Sequence, residues 1–422
     1  METNEEYLIR LLRPLDVPPS RPSTVDVDRA VLDGRRRKRV RRTVGLVAAV
    51  TAAMLVLVAV PVAAGALRAA RPPAVAASGV ASPSTEASPT ASPTQAPPAS
   101  PSRDLRPAVP VPPTACHIER LPLPKGQTMS LVTGADPTGR YIVGRSYPSG
   151  AGEYPIIIWH DGQFTVVNVP GTDQSFSDIT SSGDAVGVSF AAGGSTAWAY
   201  LGGKLTKLAG ANAEARAISA SGTIVGSVDD RAVRWRPGSP EPERLATPPG
   251  SWQGKAYGID DDGTIVGTLR SAGGAEGAYV WSPDGSVHPL PQVVVAGKHS
   301  QGSRGFDLHG GWATGLALLA SNDSDDVAVR WNVATGETHV YADVESVAEA
   351  ANQAGWVVGT NAKGYAVLVT DTGTMSLPPL NSRVEPMDNI ASTISDDGRT
   401  IAGQAVLADP NRTIVAVVWR CS

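Results

Sequence analysis

Cysteine is nearly absent: Cys116 and Cys421 are the only two in 422 residues. Two cysteines and six scattered histidines leave no His/Cys zinc pattern. No Gly-x-Ser-x-Gly, His-Glu-x-x-His or phosphate-loop motif occurs either, so the common hydrolase, metalloprotease and nucleotide-binding arrangements are missing. Aromatics are few, at 5% of residues, yet nine of them are Trp. Glycine (44) and proline (35) are abundant, which points to short strands, many turns and a Trp-marked pattern.

Net charge is only −4, but it is unevenly spread. Residues 1–43 hold 11 Lys+Arg against 7 Asp+Glu, a net of +4, and the remainder holds 25 against 33, a net of −8. That split suggests two compartments rather than nucleic-acid binding, which wants a basic folded domain. The boundary is GRRRKRVRR (Gly34–Arg42) followed by 24 uncharged residues, 44–67. As a helix the uncharged run spans about 36 Å, enough for a hydrocarbon core of about 30 Å. Seven basic residues just before it predict a cytoplasmic N-terminus. The small residues Ala63, Ala64, Gly65 and Ala66 leave a cleaved signal peptide as the alternative to a retained anchor.

Beyond the apolar run, positions 72–113 contain twelve prolines and four charged residues among Ser, Ala and Thr. Such a segment builds no core. In polyproline II it reaches roughly 130 Å. Residues 68–114 are therefore expected to be a disordered stalk, and 115–422 the folded ectodomain.

That ectodomain is one phrase repeated seven times. ITSSGDAVG…AWAYLGGKLTKLAG, ISASGTIVG…AVRWRPGSPEPERLATP and IDDDGTIVG…AYVWSPDGSVHPLP are three of its copies. The second-turn glycines, Gly144, Gly187, Gly226, Gly267, Gly315, Gly359 and Gly403, recur every 39 to 48 residues, the period of a four-stranded propeller blade. Each copy parses as four strands with an Asx/Gly hairpin first. An Ala slot (Ala197, Ala232, Ala278, Ala328, Ala366, Ala416, with Ile156 in the first copy) admits a close neighbour. A Trp slot (Trp159, Trp235, Trp281, Trp331, Trp419, with Tyr200 and Val369) fills the widening gap between blades.

With these [SD]-G turns, Val-Gly pairs and Ala-x-x-Trp segments, residues 116–422 resemble the HAF-repeat family of extracellular bacterial proteins, a WD40-like repeat group. The resemblance implies a seven-bladed β-propeller. The sequence departs from that family's name, since the His slot holds Arg231, Gly277, Val327, Tyr365 or Val415.

The seventh repeat stops at Trp419, with no second turn and no fourth strand, and one unattached copy of the missing phrase exists, HIERLPLP at 117–124. The N-terminal strand is therefore expected to complete the last blade and close the ring. Cys116 and Cys421 then fall where the connecting turn is missing, which predicts a disulfide in an oxidising compartment.

Loop lengths direct attention to one sector. First-to-second and third-to-fourth turns are tight, so one face should be plain. The long segments 247–258, 291–305 and 316–327 belong to blades three to five and share the other face. Loops on a rigid scaffold are where binding usually resides. The candidate ligand contacts there are Trp252, Lys298, His299 and Arg304. Asp323, Asp325 and Asp326 are candidate Ca²⁺ ligands, although their segment lacks the Gly and distal Glu of an EF-hand. No other cofactor is implied. Asp307 and His309 read as part of a blade strand rather than an acid–base pair.

The whole reading is an all-β propeller on a single transmembrane helix in the cell membrane, its cytoplasmic tail at 1–43. The expected role is a monomeric, non-catalytic binding module for an envelope protein, peptide or glycan. An extracytoplasmic hydrolase or lyase is one alternative. A transmembrane regulator resembling anti-sigma factors is the other, its Leu-rich tail (Leu8, Leu11, Leu12, Leu15) holding a partner.

Overall fold

The computed structural model describes residues 110–148, 154–295, 297–319, 326–341, 344 and 349–422. The tail, the apolar run at 44–67, nearly all of the stalk, and Asp323 and Asp325 lie outside the described residues. Among those described every regular element is a strand, and no helix is long and apolar enough to cross a membrane.

Seven four-stranded antiparallel sheets make a seven-bladed β-propeller, with a two-stranded ribbon (Val294–Val295 and Lys298–His299) between the fourth and fifth blades. The innermost strands are Gln127–Ala135, Thr172–Ile179, Ala213–Ile218, Trp252–Ile259, Gly302–His309, Ala350–Ala351 and Asn389–Ile394. Six blades are built from four strands consecutive in sequence. The seventh sheet is ordered Cys116–Arg120, Ile414–Cys421, Thr400–Val406, Asn389–Ile394. Its outer pair sets Cys116 opposite Cys421 and Arg120 opposite Val417, and a disulfide joins the two cysteines.

The core lies between blades rather than within one sheet, because each blade presents both faces to neighbours. Ala217, Val225 and Ala232 of the third blade, for example, pack with Ala256, Ile265 and Trp281 of the fourth. All six residues of the Ala slot are buried, as small side chains must be where two pleated sheets approach. The five slot tryptophans are at most 1% exposed. Each indole Nε1–H donates to a carbonyl just past the preceding blade's outer strand. Trp235 reaches Ala209 (3.2 Å), Trp281 reaches Ala246 (2.6 Å), Trp331 reaches Pro291 (3.1 Å) and Trp419 reaches Pro378 (2.8 Å). Trp159 makes the same bond to Pro122 (2.7 Å), which follows the strand Cys116–Arg120. The ring thus combines burial of a large ring with satisfaction of its one polar atom. Where the slot holds Val369, Trp312 and Tyr341 supply the volume between blades five and six.

One reading of the repeat changes. The glycines at 144, 187, 226, 267, 315 and 403 sit inside second strands rather than in turns. A Cβ at any of the six would stand 1.8 to 2.1 Å from a carbonyl oxygen of the adjoining innermost strand. Glycine is required there because the two backbones converge, and the cause of that convergence creates the site below.

Candidate functional site: the axial cavity

Opposite these glycines the innermost strands bulge. Register shifts skip Thr133, Ser177, Arg216, Tyr257, Phe306 and Ser392, one residue in each of six blades. A bulge leaves its extra residue outside the ladder and re-aims the side chain. All six line a single axial cavity of about 300 Å³, joined by Glu349 from the blade whose inner strand is shortest. The wall is asymmetric. Thr133, Ser177 and Ser392 contribute hydroxyls, whereas blades three to five contribute a guanidinium and two rings. The Arg216 guanidinium lies 5.7 Å from the Tyr257 ring centre, and Tyr257 meets Phe306 edge-on at 5.6 Å.

Arg216 is not an isolated charge. Its guanidinium pairs with Glu214 at 2.5 Å, and Lys255 pairs with the same carboxylate at 3.1 Å. Burial works against the charged Glu214, but these two cations outweigh it and hold its pKa below the ordinary range.

Towards the tight turns the cavity ends in a rim whose hydrogen bonds tie every blade to the next. Ser181 donates to Asp136 (2.6 Å), the Ile218 amide to Asp178 (2.8 Å), the Ala220 amide to Asp261 (2.8 Å) and the Gly311 amide to Asp260 (2.7 Å). Asp307 accepts from the Ala351 amide, the Asn352 side chain donates to the Ser395 carbonyl (3.2 Å), and the Asp396 amide donates to the Pro137 carbonyl (2.8 Å). These seven contacts cover all seven junctions. His309 adds a chord, its Nε2 lying 2.7 Å from Asp396 Oδ1 across the sixth blade.

The rim holds three strongly perturbed ionisable groups. Asp178 and Asp307 touch cavity solvent on one side and protein in nearly every other direction. That burial pushes both pKa values up, Asp178 to about 7, despite backbone donors that favour the ionised form. Burial pulls His309 the other way, but the Asp396 hydrogen bond and the charges of Asp396, Asp307 and Asp260 prevail and raise it to about 9. His309 is therefore an imidazolium at neutral pH, and its partner is Asp396 rather than the Asp307 two residues before it.

The residues chosen from the sequence lie elsewhere. Trp252 begins its blade's innermost strand, packs edge-on against Tyr279 at 5.6 Å and donates to the Pro249 carbonyl, as a loop anchor does. Lys298 and His299 are exposed on the small ribbon. Arg304 is engaged by Glu276 at 2.6 Å. Asp326 precedes the strand Val327–Asn332. Among the described residues no group of three or more His, Cys, Asp or Glu side chains is placed to hold a metal. Thus the long loops mark one face, while the cavity opens among the tight turns of the other, with Pro137, Ser181, Ala220 and Asp261 at its mouth.

A recoverable signal existed. The bulge residue stands nine to eleven positions before each repeat glycine, from Phe306 before Gly315 to Thr133 before Gly144. Reading that column would have picked out Arg216, Tyr257 and Phe306.

No protein-family model matches the chain, and a search of curated proteins finds no match, so the likeness to HAF repeats rests on the repeat phrase alone. Solved structures with a similar fold include TolB from Acinetobacter baumannii (16% identity, TM-score 0.40, 63% of this chain against 66% of that one). Two others are an oligogalacturonate lyase from Vibrio parahaemolyticus (9%, 0.34, 74% against 98%) and a chain of the mitotic checkpoint complex (11%, 0.41, 76% against 97%). This chain spans just under two thirds of that TolB. Likeness at these values assigns no activity.

Proposed function

We propose that this chain is a single-pass membrane protein whose seven-bladed propeller stands outside the membrane as a non-catalytic binding module for an envelope protein, peptide or glycan. The observation that favours binding over catalysis is how the cavity's perturbed groups are engaged. Both oxygens of Asp178 accept backbone N–H groups, from Ile179 and Ile218; Asp307 accepts from Leu308 and Ala351; His309 is held by Asp396. A general acid or base must direct a proton or lone pair at substrate. These groups direct theirs at their own strand and at neighbouring blades, so their shifted proton affinities follow from building a rigid cavity wall. The charge split about residues 44–67 and the Cys116–Cys421 disulfide support the extracytoplasmic placement. The N-terminal strand and the disulfide act together to keep the ring closed.

The test is to purify the full chain from membranes and screen it against peptidoglycan fragments, envelope glycans and peptides. Saturable binding with the bound molecule recovered unchanged is expected. Conversion of a panel member to product, or recovery of the chain from the soluble fraction alone, overturns the reading.

A further inference from the structure

We infer that the axial cavity binds one ring of a neutral saccharide, its C–H face on Tyr257 and Phe306 and its hydroxyls turned to the bulge residues around the axis. This rests on the propeller being a binding module and narrows its ligand to one class. The first observation is that every charged group of the wall is already engaged. Asp178 and Asp307 are held by backbone N–H groups, Asp260 by the Asp261 and Gly311 amides, and Asp261 by the Ala220 amide. Glu349 is engaged within the protein as well. Burial raises Asp178 to about 7 and Asp307 above its ordinary range, so both resist ionising. Of the two bases, Arg216 is paired with Glu214 and His309 with Asp396. A charged ligand of either sign would give up its hydration here for no free counter-charge, whereas a neutral one avoids that cost.

Hydrogen-bonding capacity is what remains open. Among the described residues the hydroxyls of Ser177, Ser392 and Tyr257 have no protein partner, and none of the three is sealed from the cavity. The Arg216 Nε–H is buried and lacks a partner, so a ligand oxygen that reaches it supplies a missing bond. These groups hold the same register position in blades two, seven, four and three, so they surround the axis instead of forming a row. The held carboxylates keep lone pairs for a hydroxyl donor. On adjacent blades, Tyr257 and Phe306 add two half-buried rings that meet edge-on at 5.6 Å. A pyranose matches both features, with hydroxyls around its edge and an apolar C–H face for an aromatic ring to cover. An extended peptide would instead present a line of backbone groups, which a circle of partners does not match. The cavity, about 300 Å³, lies at the small end of ligand sites and suits a single ring.

The test titrates the full chain with methyl glycosides of glucose, galactose and N-acetylglucosamine, in polyoxyethylene-ether micelles that carry no sugar headgroup. Each glycoside is compared with analogues bearing an ammonium or a carboxylate at the sixth carbon, and N-acetyltyrosinamide serves as a neutral peptide probe. Saturation-transfer NMR and calorimetry provide the readout, with empty micelles as reference. At least one neutral glycoside is expected to bind about tenfold or more tighter than both of its charged analogues. Phe306→Leu removes an aromatic face and Tyr257→Phe removes only a hydroxyl. Each should weaken that glycoside about three- to tenfold at an unchanged melting temperature. Where a variant melts lower, the charge series on the parent decides alone. Equal or tighter binding of a charged analogue, or unaltered affinity in both well-folded variants, overturns the assignment. If no glycoside binds while the peptide probe or a panel peptide does, the saccharide falls and the binding-module reading stands. If neither probes nor panel bind, both fall.

Discussion

Replacing Cys116 and Cys421 with Ala should cost the propeller several kcal/mol of stability. The disulfide links residues 305 apart in sequence, so its removal frees a very long loop in the unfolded chain. In the loop-entropy picture a closed loop of that length is worth roughly 5–6 kcal/mol at 25 °C, reduced by residual structure in the denatured ensemble. The folded state loses little in exchange, because Cys116–Arg120 keeps its ladder with 417–421 and Trp159 keeps its bond to Pro122. An ectodomain of about 300 residues has an unfolding entropy near 0.6 kcal/mol/K, so the expected fall in Tm is about 5–9 °C. Thermal melts of parent and double variant, with and without reductant, provide the assay. Reductant should lower the parent to the variant's Tm and leave the variant unmoved. Cys116→Ala alone should match the double variant, since either change breaks the same bond. A shift below about 2 °C, or additive single effects, would refute the reasoning.

Two further perturbations probe the ring and its rim. Trp331→Phe removes the bond to the Pro291 carbonyl and part of a fully buried ring, which should cost about 2–3 kcal/mol in urea unfolding. The His309 pKa is raised in the fold from 6.5 to about 9, so its stabilisation is fully present below pH 6.5 and is lost as pH rises through about 9. Its size is at most about 3 kcal/mol. Asp178 drives stability down over a different window, between about pH 4 and 7, because burial disfavours its ionised form. A decline between pH 7.5 and 9.5 that disappears in His309→Gln isolates the histidine, and a decline that survives in the variant rules it out.

The blades were readable in the sequence because their packing demands are local and repeated. Where two sheets approach, Ala fits in six of the blades, with Ile156 in the first, and where they diverge, Trp fills the gap in five, so the same letters return in most blades. The two cysteines were informative for the opposite reason, being rare. The cavity wall was harder to see, because a bulge residue faces the cavity rather than the packed space between blades, so no single side chain is demanded there. Thr133, Ser177, Arg216, Tyr257, Phe306 and Ser392 share a position but divide between hydroxyls, rings and a guanidinium, so no repeated letter reveals them. The glycine column marks that position, but Gly after an apolar pair carries no local sign of the backbone it approaches and so resembles a turn residue. The His309–Asp396 bond joins residues 87 apart and across an intervening blade, a neighbourhood that only ring geometry creates. Loop length drew attention to Trp252, Lys298, His299 and Arg304, but long connections are what widely spaced outer strands require in any case.

The central claim is that the bulges build the ligand site on the ring axis. A crystal structure of the full chain with a ligand from the envelope panel tests this most directly. The account predicts ligand density on the axis, in contact with Tyr257 and Phe306 and within reach of Asp178 or Asp307. Density confined to the opposite face, against Trp252, Lys298, His299 or Arg304 with the axial cavity left to solvent, would contradict it.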